Sequence, residues 1–129
     1  MNDADIVADA SAIIALLVGE PITRFDPERL PRAWISAVNL SEVFARLEEI
    51  GMPESEAVTA VAELDLRVVV FDEPQARAAA RLRRTTRHAG LSLGDRACLA
   101  LGAGRGCPVV SADRVWGSLD IGVEIIVIR

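Results

Sequence analysis

A chain of 129 residues, 51% hydrophobic and 26% charged, is long enough for one self-supporting core, and it holds no run approaching the ~20 apolar residues of a membrane span. A formal charge of −5 argues against broad nucleic-acid binding through net charge, and the acidic start, with Asp3 and Asp5, lacks the basic opening of a secretory signal. The expectation is a cytoplasmic protein with a single domain over residues 1–129 and no membrane association.

The segment Ile6 to Ala12 reads I-V-A-D-A-S-A and leads into Ile13, Ile14, Leu16 and Leu17, the pattern of a buried strand turning into a helix. Asp9 falls at the carboxyl end of that strand, the edge where open α/β sheets bind ligands. The structural alternative is that Asp9 merely caps the helix. Gly19-Glu20-Pro21 stops the pattern, and residues Pro27 to Pro31 allow one helical turn. A second strand is read over Trp34 to Val38, followed by a helix through Leu40, Val43, Phe44, Leu47 and Ile50 to a stop at Gly51. Glu42 lies in the first turn of that helix. Pro53 opens another helix, with Ala57, Val58, Val61, Ala62 and Leu64 as its apolar face.

Arg67 to Phe71, with Val68-Val69-Val70, reads as a fully buried third strand. Asp72-Glu73-Pro74 starts a helix ending at Gly90, in which Arg77, Arg81, Arg84 and His88 share one side while Ala76, Ala79 and Ala80 are available to the core. The arginine stripe is either a solvated face or a surface for RNA. Ser92 begins the next helix, running through Ala97, Cys98, Leu99 and Leu101 toward Gly104, with Asp95 near its start. The glycines from Gly102 to Gly106 follow a helix and precede a strand, so they read as a helix stop and not as a dinucleotide loop. Val109 to Ser111 forms a fourth strand with Asp113 past its end, and Val123 to Ile128 a fifth. Strands alternating with helices predict an α/β fold, an open parallel sheet of about five strands with helices on both faces.

Four acids therefore stand at strand ends or first helical turns: Asp9, Glu42, Asp95 and Asp113. Asn39-x-x-Glu42 and Ser92-x-x-Asp95 fit capping boxes, and Asp113 can cap a turn over Arg114 to Ser118. Yet strands of a parallel sheet bring Asp9 and Asp113 to one edge. Carboxylates gathered there repel one another unless a cation compensates them, and oxygen-only ligands favour Mg²⁺ or Mn²⁺. Cys98 and Cys107 lack C-x-x-C spacing, and His88 is the single histidine, so no zinc pattern is present and both thiols are expected reduced and packed.

D-A-S at Asp9 to Ser11, N-L-S-E at Asn39 to Glu42, L-S-L-G-D at Leu91 to Asp95 and S-A-D-R at Ser111 to Arg114 together resemble the PIN-domain ribonucleases, above all the VapC toxins of VapBC toxin–antitoxin systems. The resemblance spans essentially the whole chain, in order and at family-like spacing. It implies a PIN-like fold and a Mg²⁺- or Mn²⁺-dependent endoribonuclease. Asp9, Glu42, Asp95 and Asp113 match the family's acidic quartet, with Ser11 and Asn39 in supporting positions. It further implies a homodimer and a VapB-like antitoxin partner in a hetero-oligomer. Gly94 departs from the alanine common among relatives, a change expected to weaken the helix start slightly without touching the acids.

All fourteen basic residues are arginine, and the missing lysine removes phosphatases and receiver domains that phosphorylate an aspartate, as well as a Walker A site. The alternative from a non-enzyme class is a degenerate PIN domain acting as a binding module, whose acids only cap helices.

Overall fold

The computed structural model describes residues 5–129, so the acidic start that includes Asp3 lies outside the described residues. Five short strands, β1 (Val7–Ala8), β2 (Trp34–Ser36), β3 (Arg67–Val69), β4 (Val109–Ser111) and β5 (Ile125–Val127), form one sheet in the order β3-β2-β1-β4-β5. Every pairing is parallel. From β1 the chain builds outward to β2 and β3 on one side, and β4 and β5 then fill the other. The connections therefore diverge between β1 and β4, and such a switch point opens a crevice beyond the strands' carboxyl ends.

Alternation along the strands divides the core in two. Ile6, Ala8 and Val110 join a cluster with Ile13, Val43 and Leu47, while Val7 and Val109 join another with Cys98, Leu99, Leu101 and Trp116. The first cluster is supplied by α1 (Ala10–Val18), α2 (Ala37–Glu49) and α3 (Glu54–Ala62), the second by α4 (Glu73–Thr85) and α5 (Leu93–Arg105). Each fully buried Ile, Leu or Val on these faces contributes about 1.5–3 kcal/mol of transfer free energy. Helices on both faces of a five-stranded parallel sheet are the expected architecture.

Several local expectations are corrected. The strand read as fully buried, β3, lies at the sheet edge, with Val68 49% and Val70 69% exposed. A β-branched run specifies a strand but not its rank in the sheet. The second strand stops at Ser36, whose Oγ accepts from the Val38 amide and caps α2, three residues before the Asn39 cap read in the sequence. On α3 only Ala57 and Val61 are buried; Val58 and Ala62 face solvent. On α4 only Ala79 is buried, and Ala76 and Ala80 are exposed, because that helix packs mainly on α5 rather than on the sheet. The helix also ends at Thr85, before a separate 3₁₀ turn over Arg87–Ala89, so His88 is not on α4. Gly102 and Gly104 are helical, and the stop is Gly106, in the left-handed region at φ 65°. A Cβ on Gly102 would meet the Val109 side chain, so that glycine allows α5 to approach β4. The fifth strand is shorter than read, Ile125–Val127. Cys98 is fully buried, whereas Cys107 is only partly so; both are free thiols.

The remaining punctuation follows its chemistry. Gly19 ends α1 at φ 78°, and Asp26 caps the 3₁₀ turn Pro27–Arg29 by accepting from the Glu28 amide. Asp72 caps α4 through the Gln75 amide, and Ser92 and Asp95 form the expected reciprocal capping box on α5. Among the described residues no helix is long and apolar enough to cross a membrane.

Candidate active site

Asp9 stands where β1 becomes α1, at the switch point between β1 and β4, and its amide donates to the Val110 carbonyl at 2.9 Å. Its backbone has the extended geometry of an N-cap, yet its side chain makes no capping hydrogen bond. The carboxylate turns instead to two hydroxyls. Ser11 Oγ donates to Asp9 Oδ2 at 2.6 Å and Ser111 Oγ donates to the same oxygen at 3.2 Å. Each hydroxyl is itself oriented by a backbone donor, Ala112 N–H to Ser11 Oγ at 2.9 Å and Asp113 N–H to Ser111 Oγ at 3.0 Å. With an N–H on each serine oxygen, the serine protons are directed at Asp9.

Burial pushes the pKa of Asp9 up to about 6. The Ser11 hydroxyl bond opposes the rise, the Asp95 charge adds to it, the Ser111 bond opposes it and the Glu42 charge adds to it. Thus Asp9, Glu42 and Asp95 converge on one region although 86 residues separate the first from the last. The Cys98 thiol, fully buried one helical turn after Asp95, feels the same three acids. Its pKa is raised first by burial and then by Asp9, Asp95 and Glu42, so it stays protonated and is no ligand.

Glu42 is held differently from the capping box read in the sequence. Asn39 is not an N-cap but sits inside α2, fully buried, because Ser36 has already taken the capping role. Its Nδ2 donates at 2.9 Å both to Glu42 Oε1 and to the carbonyl of Gly94 on α5. Asn39 thereby ties α2 to the first turn of α5 and brings Glu42 beside Asp95. Gly94 completes this contact, and the reading that it does not touch the acids is corrected. A Cβ at that position would lie 2.6 Å from Glu42 Cδ and 2.7 Å from its Oε1, inside any normal contact. The hydrogen on Gly94 leaves the space that the Glu42 carboxylate occupies.

Asp113 is the outlying member. It is exposed, its Oδ1 accepts from the Val115 amide at 3.0 Å, and it caps the 3₁₀ turn Arg114–Ser118 as expected. Its connection to Asp9 runs through its own amide and Ser111. Ser111 itself escaped the sequence reading as a site residue, since only the β1–β4 register sets it beside Asp9.

Among the described residues, no group of three or more acidic, histidine or cysteine side chains is drawn together tightly enough to hold an ion in this conformation. The donor chemistry nevertheless fits a hard divalent cation. Asp9, Glu42, Asp95 and Asp113 each have one oxygen engaged in hydrogen bonds, and among the described residues the second oxygen of each has no hydrogen-bond partner. The charges of Glu42 and Asp95 already act on Asp9 at the switch-point edge. Apart from the protonated Cys98 thiol, the side chains gathered there among the described residues offer oxygen, the donor that Mg²⁺ and Mn²⁺ favour.

The arginine stripe on α4 is exposed. Arg77 is engaged by Glu73, and Arg81 lines a shallow pocket with Gln75 and Asp120, while Arg84 makes no ion pair among the described residues. None of the three joins the hydrogen-bond network of the acids.

The family model described as the PIN domain matches residues 6–121, and the chain belongs to this family. Solved structures agree on the fold. A chain of VapBC2 from Rickettsia felis, bound to a DNA fragment from its promoter, superposes with a TM-score of 0.74 at 11% identity, covering 95% of this chain and 97% of that one. A chain of DNA-bound VapBC from Salmonella typhimurium gives 0.72 at 21% identity, with 95% and 96% covered. VapC20 of Mycobacterium tuberculosis, a sarcin-ricin loop cleaving toxin, gives 0.69 at 18% identity, with 92% and 98% covered. Among curated proteins none matches the chain.

Proposed function

We propose that this chain is the VapC-type toxin of a type II toxin–antitoxin pair, a single-domain endoribonuclease that hydrolyses RNA phosphodiester bonds with Mg²⁺ or Mn²⁺. The observation that carries the reading is Asp9. A buried carboxylate placed as an N-cap that does not cap, with two oriented hydroxyls on one oxygen and two further acids nearby, has no structural task that explains its burial.

Asp9, Glu42 and Asp95 would hold the metal, with Asp113 completing the quartet from the next strand end. When bound, the ion polarises a phosphate oxygen and lowers the pKa of the attacking water. The chain's own residues orient the carboxylates: Ser11 and Ser111 fix Asp9, Asn39 and Gly94 fix Glu42, and the Ser92 amide fixes Asp95. Exposed arginines, among them Arg77, Arg81 and Arg84, would offset the acidic net charge along the RNA backbone. An antitoxin partner is supported by the similar structures, several of which are toxin–antitoxin complexes. A VapB-like antitoxin, a homodimer and a cytoplasmic site of action belong to the proposal.

Purified protein free of antitoxin should cut single-stranded RNA with Mg²⁺ or Mn²⁺ and stop in EDTA, leaving 5′-phosphate and 3′-hydroxyl ends. Cleavage that persists in EDTA, or 2′,3′-cyclic phosphate ends, would refute the metal-activated water. A degenerate binding module is the second reading, favoured by the capping bonds of Asp95 and Asp113. It requires that Mn²⁺ leave the melting temperature unchanged, because helix caps gain nothing from the ion.

A further inference from the structure

Beside the first turn of α5 lies a pocket of about 330 Å³ lined by Arg83, Thr86, Arg87, Gly90, Ser92 and Arg96, together with Leu91 and Leu93. Three arginines and, among the described residues, no acidic side chain line it. Arg83 and Arg87 are exposed and form no ion pair, so neither charge is compensated within the described residues. Arg96 is half-buried and donates once, from Nη1 to the Ala79 carbonyl at 3.0 Å, while its buried Nε has no acceptor. A guanidinium carries five donors, so most of its capacity is unspent.

This charge is concentrated in a protein whose net charge is −5. The end of α4 explains one cation there, since its C-terminal dipole welcomes Arg83. It does not explain Arg87 on the following turn or Arg96 on α5. Three arginines lining one pocket without an acid among the described residues present a positive surface suited to an anion.

Location specifies the anion. Ser92 lines the pocket and is also bonded to Asp95, its amide to Oδ2 at 3.0 Å and its Oγ from the Asp95 amide at 3.1 Å. Leu93, 52% exposed, offers an apolar surface for a sugar or base next to the charge. We infer that Arg83, Arg87 and Arg96 form a phosphate subsite that grips the RNA backbone next to the scissile bond, a role distinct from the outer stripe of Arg77, Arg81 and Arg84. This rests on the nuclease reading above and adds to it the place where the strand is held.

The test is binding of a short labelled single-stranded oligoribonucleotide in EDTA, read by fluorescence anisotropy across a salt series, with cleavage in Mn²⁺ measured separately. Arg83→Gln/Arg87→Gln should weaken binding about tenfold and flatten the log–log salt slope by about 0.7 for each phosphate that is no longer neutralised. Because both side chains are exposed, the melting temperature should hold. The charge-matched control, Arg46→Gln/Arg105→Gln, alters residues on α2 and at the opposite end of α5, and should bind like wild type. Asp9→Asn should bind RNA and fail to cut it. If the Arg83/Arg87 variant binds and cuts like wild type, or the control loses as much affinity, the subsite is refuted while the nuclease reading stands. Should RNA binding hold while binding of a polyglutamate peptide is lost, the pocket belongs to an acidic protein segment and the proposal is overturned. A wild type that neither binds nor cuts RNA would sink both readings together.

Discussion

Replacing Asp9 by Asn should raise the stability of the metal-free protein while abolishing cleavage. A carboxyl whose pKa moves from the ordinary 3.8 to about 6 holds its proton more tightly in the folded state than in the unfolded one. Above pH 6 the folded protein therefore carries a charge that burial opposes, and the penalty reaches about 3 kcal/mol. The sign follows from proton counting. Between pH 3.8 and about 6 the folded state binds more protons, so this group's contribution to stability falls as pH rises and is constant above about pH 7. Near pH 4 the penalty is only about 0.5 kcal/mol.

Asparagine matches the shape and removes the charge. Its amide oxygen can take over both hydroxyl bonds from Ser11 and Ser111, and its NH₂ replaces the Oδ1 that has no partner among the described residues. Hydrogen bonds to a neutral acceptor are weaker than those to a carboxylate, and this returns part of the gain. A net stabilisation of about 1–3 kcal/mol at pH 7.5 in EDTA is expected, or roughly 4–12 °C in melting temperature for a domain of this size. The decisive measurement is the difference between the two melts as a function of pH, which cancels every other titrating group. It should be small near pH 4 and reach its plateau above pH 7. A variant destabilised at pH 7.5 in EDTA would show that Asp9 is held for its hydrogen bonds and that burial of its charge costs less than those bonds return.

Other outcomes are as specific. Mn²⁺ affinity of the wild type, followed by thermal shift, should drop about tenfold per pH unit below pH 6 as the proton on Asp9 competes with the ion, and should level above pH 7; a flat profile from pH 5 to 7 would remove Asp9 from the ligand set. Gly94→Ala gains up to about 1 kcal/mol of helix propensity and loses about as much when the Asn39–Glu42 bond is displaced. Its melting temperature in EDTA should therefore shift by less than ~4 °C, while its Mn²⁺ affinity falls about tenfold because Glu42 is pushed off α5; undiminished affinity would mean that Glu42 does not act from its present place. Asn39→Ala removes both tethers, one hydrogen bond to Glu42 and one to the Gly94 carbonyl, for a cost of about 1–3 kcal/mol in denaturant titration; a smaller loss would show that the α2–α5 tie is not structural. Arg77, Arg81 and Arg84 changed together to Gln should flatten the salt dependence of RNA binding, with Arg77 contributing least because Glu73 already engages it; an unchanged slope returns the stripe to solvent.

Much of this protein was legible in one dimension because its signals are local. The turn of β1 into α1, the Gly19 stop, the capping box at Ser92 and Asp95, and the Asp113 cap depend on residues within a few positions of one another, where backbone sterics and hydrogen bonding act directly. Alternating strands and helices also fix the handedness of each crossover, so a parallel sheet with both faces covered follows from order alone. Rank within the sheet does not. Val68 to Val70 belong to a strand in either case, and only the assembled order β3-β2-β1-β4-β5 exposes them at an edge.

The candidate site divides the same way. Four acids at strand ends and helix starts could be picked out by residue type and motif, but whether they share a pocket is a property of distance across the chain. Ser111 reaches Asp9 over 102 positions through the β1–β4 register, and Asn39 reaches Gly94 over 55 positions through the packing of α2 on α5. Gly94 read as a mild defect in a helix, because propensity is a local quantity; in three dimensions its missing Cβ is the space in which Glu42 stands. The arginine periodicity on α4 selected Arg77, Arg81 and Arg84, whereas Arg83 and Arg87, also four apart, are joined to Arg96 only by the packing of α4 on α5. Sequence determines what each segment can become through interactions a few residues long, and tertiary packing alone decides which distant charges must share one low-dielectric space.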